Sequence, residues 1–95
     1  MRQTTASIGK DKYITRIHSY DGNDIIADEP IDHGGQNLGF APGELLASAL
    51  GSCSCITMRM YADRKQWPLE SVTITVTYER DMETRTSHFK KEVTI

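Results

Sequence analysis

The chain of 95 residues lacks any long apolar run. No stretch approaches the roughly 18 consecutive apolar residues that a membrane-spanning helix needs. The N-terminal residues, MRQTTASIGK, also lack the apolar centre of a secretory signal peptide. These absences argue against a membrane partner, and we expect a cytoplasmic protein.

An excess of positive charge is absent as well. The formal net charge is -2, and aromatic residues make up only 7% of the chain. Proteins that bind DNA or RNA through their surface usually carry a basic patch. The composition therefore predicts no nucleic-acid partner.

Motifs for several kinds of active site are missing. There is no Gly-x-Ser-x-Gly elbow of a serine hydrolase, and Gly34-Gly35 lacks the Lys-Ser/Thr that a phosphate-binding loop requires. The only cysteines, Cys53 and Cys55, are two positions apart and would diverge by about 200° on a helix. That geometry disfavours both a mutual disulfide and a shared metal site, so we expect free thiols and no cofactor.

Five segments have the composition and alternation of β-strands. They are residues 2–8, 13–20, 25–27, 69–80 and 87–95. Short turns, such as Gly9-Lys10-Asp11 and residues 21–24, join the first three into an antiparallel arrangement. A polar turn over residues 81–86 joins the last two. Residues 28–41 show no period and predict a loop long enough to cover a site.

One long helix is predicted between Ala41 and Pro68. Pro42 suits its first turn, and Trp67-Pro68 ends it. One face forms an apolar stripe of Leu46, Ala49, Leu50, Cys53, Ile56, Thr57 and Met60. The opposite, polar stripe contains Ser48, Ser52, Cys55, Arg59 and Asp63. Periodicity predicts that the apolar stripe faces a core.

A single helix covers only part of a five-stranded sheet, which predicts that the chain dimerises. Gly51, in the middle of the helix among small residues, would let another backbone approach closely. The sequence ends at Ile95 while the alternation typical of a strand is still continuing. We therefore expect either a C-terminal truncation of one domain spanning residues 1–95 or a last strand completed by a partner chain.

The two thiols have different expected environments. Cys53 lies on the apolar stripe and, taken alone, reads as a buried structural cysteine. Cys55 lies on the polar stripe one turn before Arg59, whose charge would favour the reactive thiolate. Spacing alone therefore favours Cys55 as the reactive residue.

The segments ADEP and PGELLASALGSCSCITMRMYADRKQWPLESVTI resemble the OsmC/Ohr superfamily of organic hydroperoxide and stress-response proteins. The likeness extends from Tyr20 to Ile95 and matches the first part of such a protein. It implies an α+β fold in which a curved antiparallel sheet wraps around a long central helix and two chains intertwine into a homodimer.

The resemblance also implies a thiol-dependent hydroperoxide reductase. The family's peroxidatic cysteine falls on Cys53, and Cys55 falls where the family has a small residue, so the resemblance overrides the spacing argument. The implied partners are a lipophilic organic hydroperoxide and a thiol reductant. The family's resolving cysteine belongs to a later segment, beyond Ile95.

The family's usual arginine and glutamate positions hold Tyr20 and Gly43 here. Arg16 and Glu44 lie close to them in sequence and are the candidate replacements, so the predicted catalytic set is Cys53, Glu44 and Arg16. Two alternatives stay open. One is a redox-sensing or small-molecule-binding dimer of the same fold without turnover. The other is a structural dimerisation domain with inert cysteines.

Overall fold

A computed structural model describes residues 2–81 and 86–95 of the chain. It divides into two compact units, Met1–Leu45 and Leu46–Ile95, which are described separately. The helix α1, Pro42–Lys65, begins in the first unit and continues in the second. The predicted polar turn falls mostly on residues 82–85, outside the described residues.

The first unit is a three-stranded antiparallel sheet. Its strands are β1, Thr4–Ile8, β2, Thr15–Ser19, and β3, Asp24–Ala27, in the order β1-β2-β3. The turn between β2 and β3 contains Gly22 at a φ of 90°, a conformation that glycine adopts without strain. The predicted run of three antiparallel strands before the helix is confirmed.

Local chemistry defines both ends of α1. At its start, the Ala41 backbone N–H donates to Oε1 of Glu44 at 3.0 Å, as in a capping box. At its end, Gln66 adopts a left-handed conformation with a φ of 58°, and the Trp67 N–H donates to the Ala62 carbonyl at 2.8 Å. The hydrogen bond from Trp67 satisfies one of the carbonyl groups at the helix end. The helix predicted between Ala41 and Pro68 is confirmed.

The second unit adds a hairpin to the helix. Strand β4, Thr73–Asp81, pairs antiparallel with β5, Thr86–Thr94. Along β4, half-buried Ile74 and Val76 alternate with exposed threonines, as the sequence pattern predicts. Across the pair, the rings of Tyr78 and Phe89 stack with centroids 5.8 Å apart. The α+β class, with one helix and antiparallel sheets, is confirmed.

The expected single five-stranded sheet is wrong for this chain. The described strands form two sheets, one of three strands and one of two. Each sheet joins strands that are neighbours in sequence, because short turns make such pairing easy, whereas the loop and the whole of α1 separate β3 from β4. In the described part of the chain, no helix is long and apolar enough to cross a membrane.

The orientation of α1 also differs from the sequence prediction. All seven residues of the apolar stripe are exposed rather than buried against the sheet. The buried helix residues are instead Ala47, Gly51 and Ala62. A methyl group added at Gly51 would lie 3.5 Å from Cγ2 of Val76 and 3.9 Å from the carbonyl oxygen of Ile74. Small side chains thus let the helix lie close to β4, which a face of leucine and isoleucine would prevent.

The core of this chain is consequently thin. Among the described residues, the buried hydrophobic side chains all belong to alanines. These are Ala27, Ala41, Ala47 and Ala62. Burying so few methyl groups stabilises a fold weakly, since stabilisation scales with the apolar area removed from water. Large apolar side chains therefore remain available for contacts with other molecules.

The loop between β3 and α1 is organised by the carboxylate of Asp28, which is only 2% exposed. Its Oδ1 accepts hydrogen bonds from the backbone N–H groups of Tyr13 and Glu29, at 3.2 and 2.7 Å. Its Oδ2 accepts from those of Gln36 and Leu38, both at 3.2 Å. Four donors from three parts of the chain thus converge on one side chain.

These hydrogen bonds determine the ionisation of Asp28. Burial alone raises the pKa of the carboxyl, but the four backbone N–H groups together outweigh it, and the pKa lies below its usual value. The charged form is therefore favoured in the folded state, so the carboxylate stabilises the loop only while it is ionised.

We predict that Asp28→Asn lowers the melting temperature at neutral pH, because the amide NH₂ would face two backbone N–H donors that it cannot accept from. The folded pKa is lower than the unfolded value of about 3.9, so the advantage of the wild type is complete above roughly pH 5. It disappears as the pH falls through the folded pKa. Thermal unfolding of both proteins from neutral to acidic pH measures this difference, and a pH-independent gap would contradict the assignment.

Candidate functional site

Cys53 lies on the exposed face of α1, near the centre of the apolar stripe. Its neighbours on this face include Leu50, Ile56 and Met60, whose exposed fractions are 43%, 55% and 64%. The prediction from periodicity that Cys53 is a buried structural cysteine is therefore wrong, because its side chain is exposed. The thiol is instead accessible and surrounded by apolar side chains, an environment that suits contact with a lipophilic molecule.

Cys55 is half-buried, and its expected activating partner is engaged elsewhere. The Arg59 guanidinium contacts Oδ1 of Asp63 at 2.9 Å through Nη2 and donates to the Leu69 carbonyl at 2.8 Å through Nη1. The first contact lies within the helix, and the second joins the helix to the segment that follows it. The sequence argument for Cys55, which relied on Arg59, thus loses its support.

Both thiols are free, and no disulfide joins them. Among the described residues of the second unit, no hydrogen bond or ion pair involves either sulfur. A reactive cysteine usually has a cationic or hydrogen-bonding neighbour that stabilises its thiolate. A group that stabilises the Cys53 thiolate must therefore come from other residues of the chain or from another molecule.

Glu44, the second predicted site residue, occupies the third position of α1. Its carboxylate accepts the hydrogen bond from the Ala41 N–H and so caps the helix. Glu44 belongs to the first compact unit, whereas Cys53 belongs to the second. A catalytic role for Glu44 beside Cys53 stays a prediction.

Arg16, the third predicted residue, is exposed on the central strand β2 of the first unit. It pairs with Ser7 on β1 and Ile26 on β3. Together with His18 and Asp24 it lines a cavity of about 220 Å³. Nδ1 of His18 lies 2.6 Å from Oδ1 of Asp24. The grouping of Arg16 with Cys53 likewise stays a prediction.

An apolar cavity of about 450 Å³ begins one helical turn after Cys53. One wall is helical and includes Met58 and Tyr61, and the other includes Trp67 and Leu69. No sequence pattern predicted this cavity. Trp67 was interpreted only as a signal for the end of the helix. A large aromatic residue directly after a helix, followed by proline, was the available clue. No group of three or more metal-ligating side chains occurs within residues 2–81 and 86–95.

Comparison with known proteins gives a family for this chain. The profile of the family described as OsmC-like protein matches residues 34–95, which is 62 of the 95 residues. The match contains all of α1, both cysteines and the second unit. Among curated proteins, no match to the chain was found.

Proposed function

Because the chain belongs to the OsmC-like protein family, we propose that it is a thiol-dependent hydroperoxide reductase of the oxidative-stress response, with Cys53 as the peroxidatic residue. The observation that carries the proposal is the exposed position of Cys53 within the apolar stripe. An organic hydroperoxide has an apolar body and a polar O–O group. It can therefore contact the stripe while its peroxide approaches the sulfur.

The proposed reaction begins with the Cys53 thiolate, the nucleophilic form of the side chain. The sulfur attacks one peroxide oxygen, so that an S–O bond forms and the O–O bond breaks. The sulfur loses two electrons and becomes sulfenic acid, while the hydroperoxide gains them and leaves as an alcohol after taking up a proton. A thiol reductant then attacks the sulfenic sulfur, releasing water and forming a mixed disulfide, and a second thiol restores Cys53.

Glu44 and Arg16 enter this proposal as residues that orient the thiolate and favour its charge. A guanidinium near Cys53 would favour the thiolate, and a carboxylate would hold that guanidinium in place. Both residues belong to the first compact unit, so their arrangement around Cys53 forms part of the proposal.

A homodimer also forms part of the proposal. Among the described residues the buried hydrophobic side chains are alanines, and the apolar stripe is exposed. Both observations support a homodimer, because covering such a stripe with a second copy would stabilise both chains. Sedimentation velocity is expected to give the mass of two chains, and a monomer at every concentration up to about a millimolar would contradict it. A cytoplasmic location stays a prediction.

A second candidate function is redox sensing or small-molecule binding without turnover. One observation favours it: in the described part of the second unit, no charged or hydrogen-bonding group contacts the Cys53 sulfur. A thiol without such a neighbour has no evident aid to peroxide cleavage, which favours binding or slow oxidation over repeated turnover. The two functions differ in whether the thiol consumes hydroperoxide repeatedly.

To test the proposal, sulfenic acid would be trapped with a dione reagent after one equivalent of an organic hydroperoxide and located by mass spectrometry. We expect an adduct on Cys53 in the wild type and in Cys55→Ser, and none in Cys53→Ser. Repeated consumption of hydroperoxide with excess dithiol would separate the reductase from the sensor. An adduct confined to Cys55, or none at all, would overturn the assignment of Cys53.

A further inference from the structure

The apolar cavity after Cys53 has properties that the proposed peroxide chemistry does not use. Its volume of about 450 Å³ lies within the range typical of small-molecule sites. Its lining is almost entirely hydrophobic and consists of Thr57, Met58, Tyr61, Ala62, Trp67, Pro68, Leu69 and Ile95. All of these residues belong to the second compact unit. Cys53 itself is not part of the lining.

Two contacts hold the cavity's non-helical wall against the helix. The Trp67 N–H donates to the Ala62 carbonyl at 2.8 Å, which fixes the chain where it leaves the helix. Two residues later, the Leu69 carbonyl accepts from the Arg59 guanidinium at 2.8 Å. Because both contacts join the wall to α1, the cavity is formed before any ligand arrives. Preformed walls reduce the entropic cost of binding.

The cavity presents two aromatic rings that remain accessible. Tyr61 and Trp67 pack edge to face, with centroids 5.3 Å apart and planes inclined by 70°. Their exposed fractions are 49% and 56%. Aromatic rings prefer offset or edge-to-face neighbours, so a third ring entering the cavity would find favourable contacts on both. The lining thus suits a flat, apolar group.

The Lys65 ammonium lies beside the Tyr61 ring. The Lys65 Nζ is 5.7 Å from the centroid of the Tyr61 ring, one helical turn further along α1. Lys65 forms no ion pair with the described residues, in contrast to Arg59, which is paired with Asp63. A ligand that places an anion near Lys65 would meet an available charge. Lys65 is not part of the lining, but its ammonium lies against Tyr61, which is, so a carboxylate at that end of a ligand would face a positive charge.

We propose that this cavity binds a small aromatic carboxylate, whose ring packs against Tyr61 and Trp67 and whose carboxylate lies near Lys65. Cys53 does not line the cavity, although Thr57 belongs to both the lining and the apolar stripe, so binding here requires no peroxide reduction by Cys53. It gives the chain a second ligand class, namely an amphipathic organic acid.

The test uses 4-phenylbutyrate as the probe and Trp67 as the reporter, because Trp67 is the only tryptophan in the chain. Titration of the full chain should change the tryptophan fluorescence and saturate. A dissociation constant in the millimolar range is expected for a ligand of about 12 heavy atoms. The uncharged analogue 4-phenylbutanol, which has the same ring and chain, should bind on the order of threefold more weakly.

Four variants test where the ligand lies. Lys65→Gln should weaken 4-phenylbutyrate on the order of threefold and leave 4-phenylbutanol unchanged. Thr57→Asp, which adds an anion at the exposed helical wall, should weaken the acid more than its matched control, Thr57→Asn. Cys53→Ser should bind as the wild type does. Circular dichroism spectra that match the wild type would exclude misfolding as the cause of any loss.

Several results would overturn the proposal. The first is an unchanged fluorescence signal up to tens of millimolar probe. Equal affinity for the acid and the alcohol in wild type and Lys65→Gln would show an apolar site without charge selection. Fluorescence that changes with protein concentration alone would show that a second copy of the chain covers Trp67. Loss of binding in Cys53→Ser would place the ligand at the thiol instead.

Discussion

The small-residue face of α1, formed by Ala47, Gly51 and Ala62, is the buried side of the helix, and it meets β4 at Gly51. Gly51 has no side chain, so at this point the helix can lie near the carbonyl of Ile74 and the side chain of Val76. With this face against the sheet, the apolar stripe faces outward and takes Cys53 with it. The Cys53 thiol is thus accessible because the buried face of the helix is the one with small side chains.

This packing also explains why secondary structure was easier to predict than burial. The alternation of threonine with valine and isoleucine predicts β4, and Pro42 with Trp67-Pro68 predicts the limits of the helix, because these signals are local. The inward face of α1 is not a local property. Periodicity identifies a stripe of large apolar residues, but it does not say whether that stripe meets the chain's own sheet or another molecule.

The loop between β3 and α1 and the candidate site also combine local features that the sequence predicts with tertiary contacts that it does not. The sequence predicts a long loop over residues 28–41, yet the convergence of four backbone N–H groups on Asp28 depends on the placement of Tyr13 and Leu38 in three dimensions. The family resemblance predicts Cys53 as the reactive thiol, whereas spacing alone favours Cys55 through Arg59. The structure pairs Arg59 with Asp63 one turn along the helix, and also with the Leu69 carbonyl, a contact beyond the helix that helical spacing does not predict.

The central claim is that α1 leaves Cys53 exposed and Cys55 half-buried. Its most direct test is the alkylation rate of each thiol in the folded chain, measured with iodoacetamide and mass spectrometry over time. The account predicts that Cys53 is modified faster than Cys55 under native conditions, and that the two rates converge in denaturant. Faster modification of Cys55, or modification of both thiols only after unfolding, would contradict it.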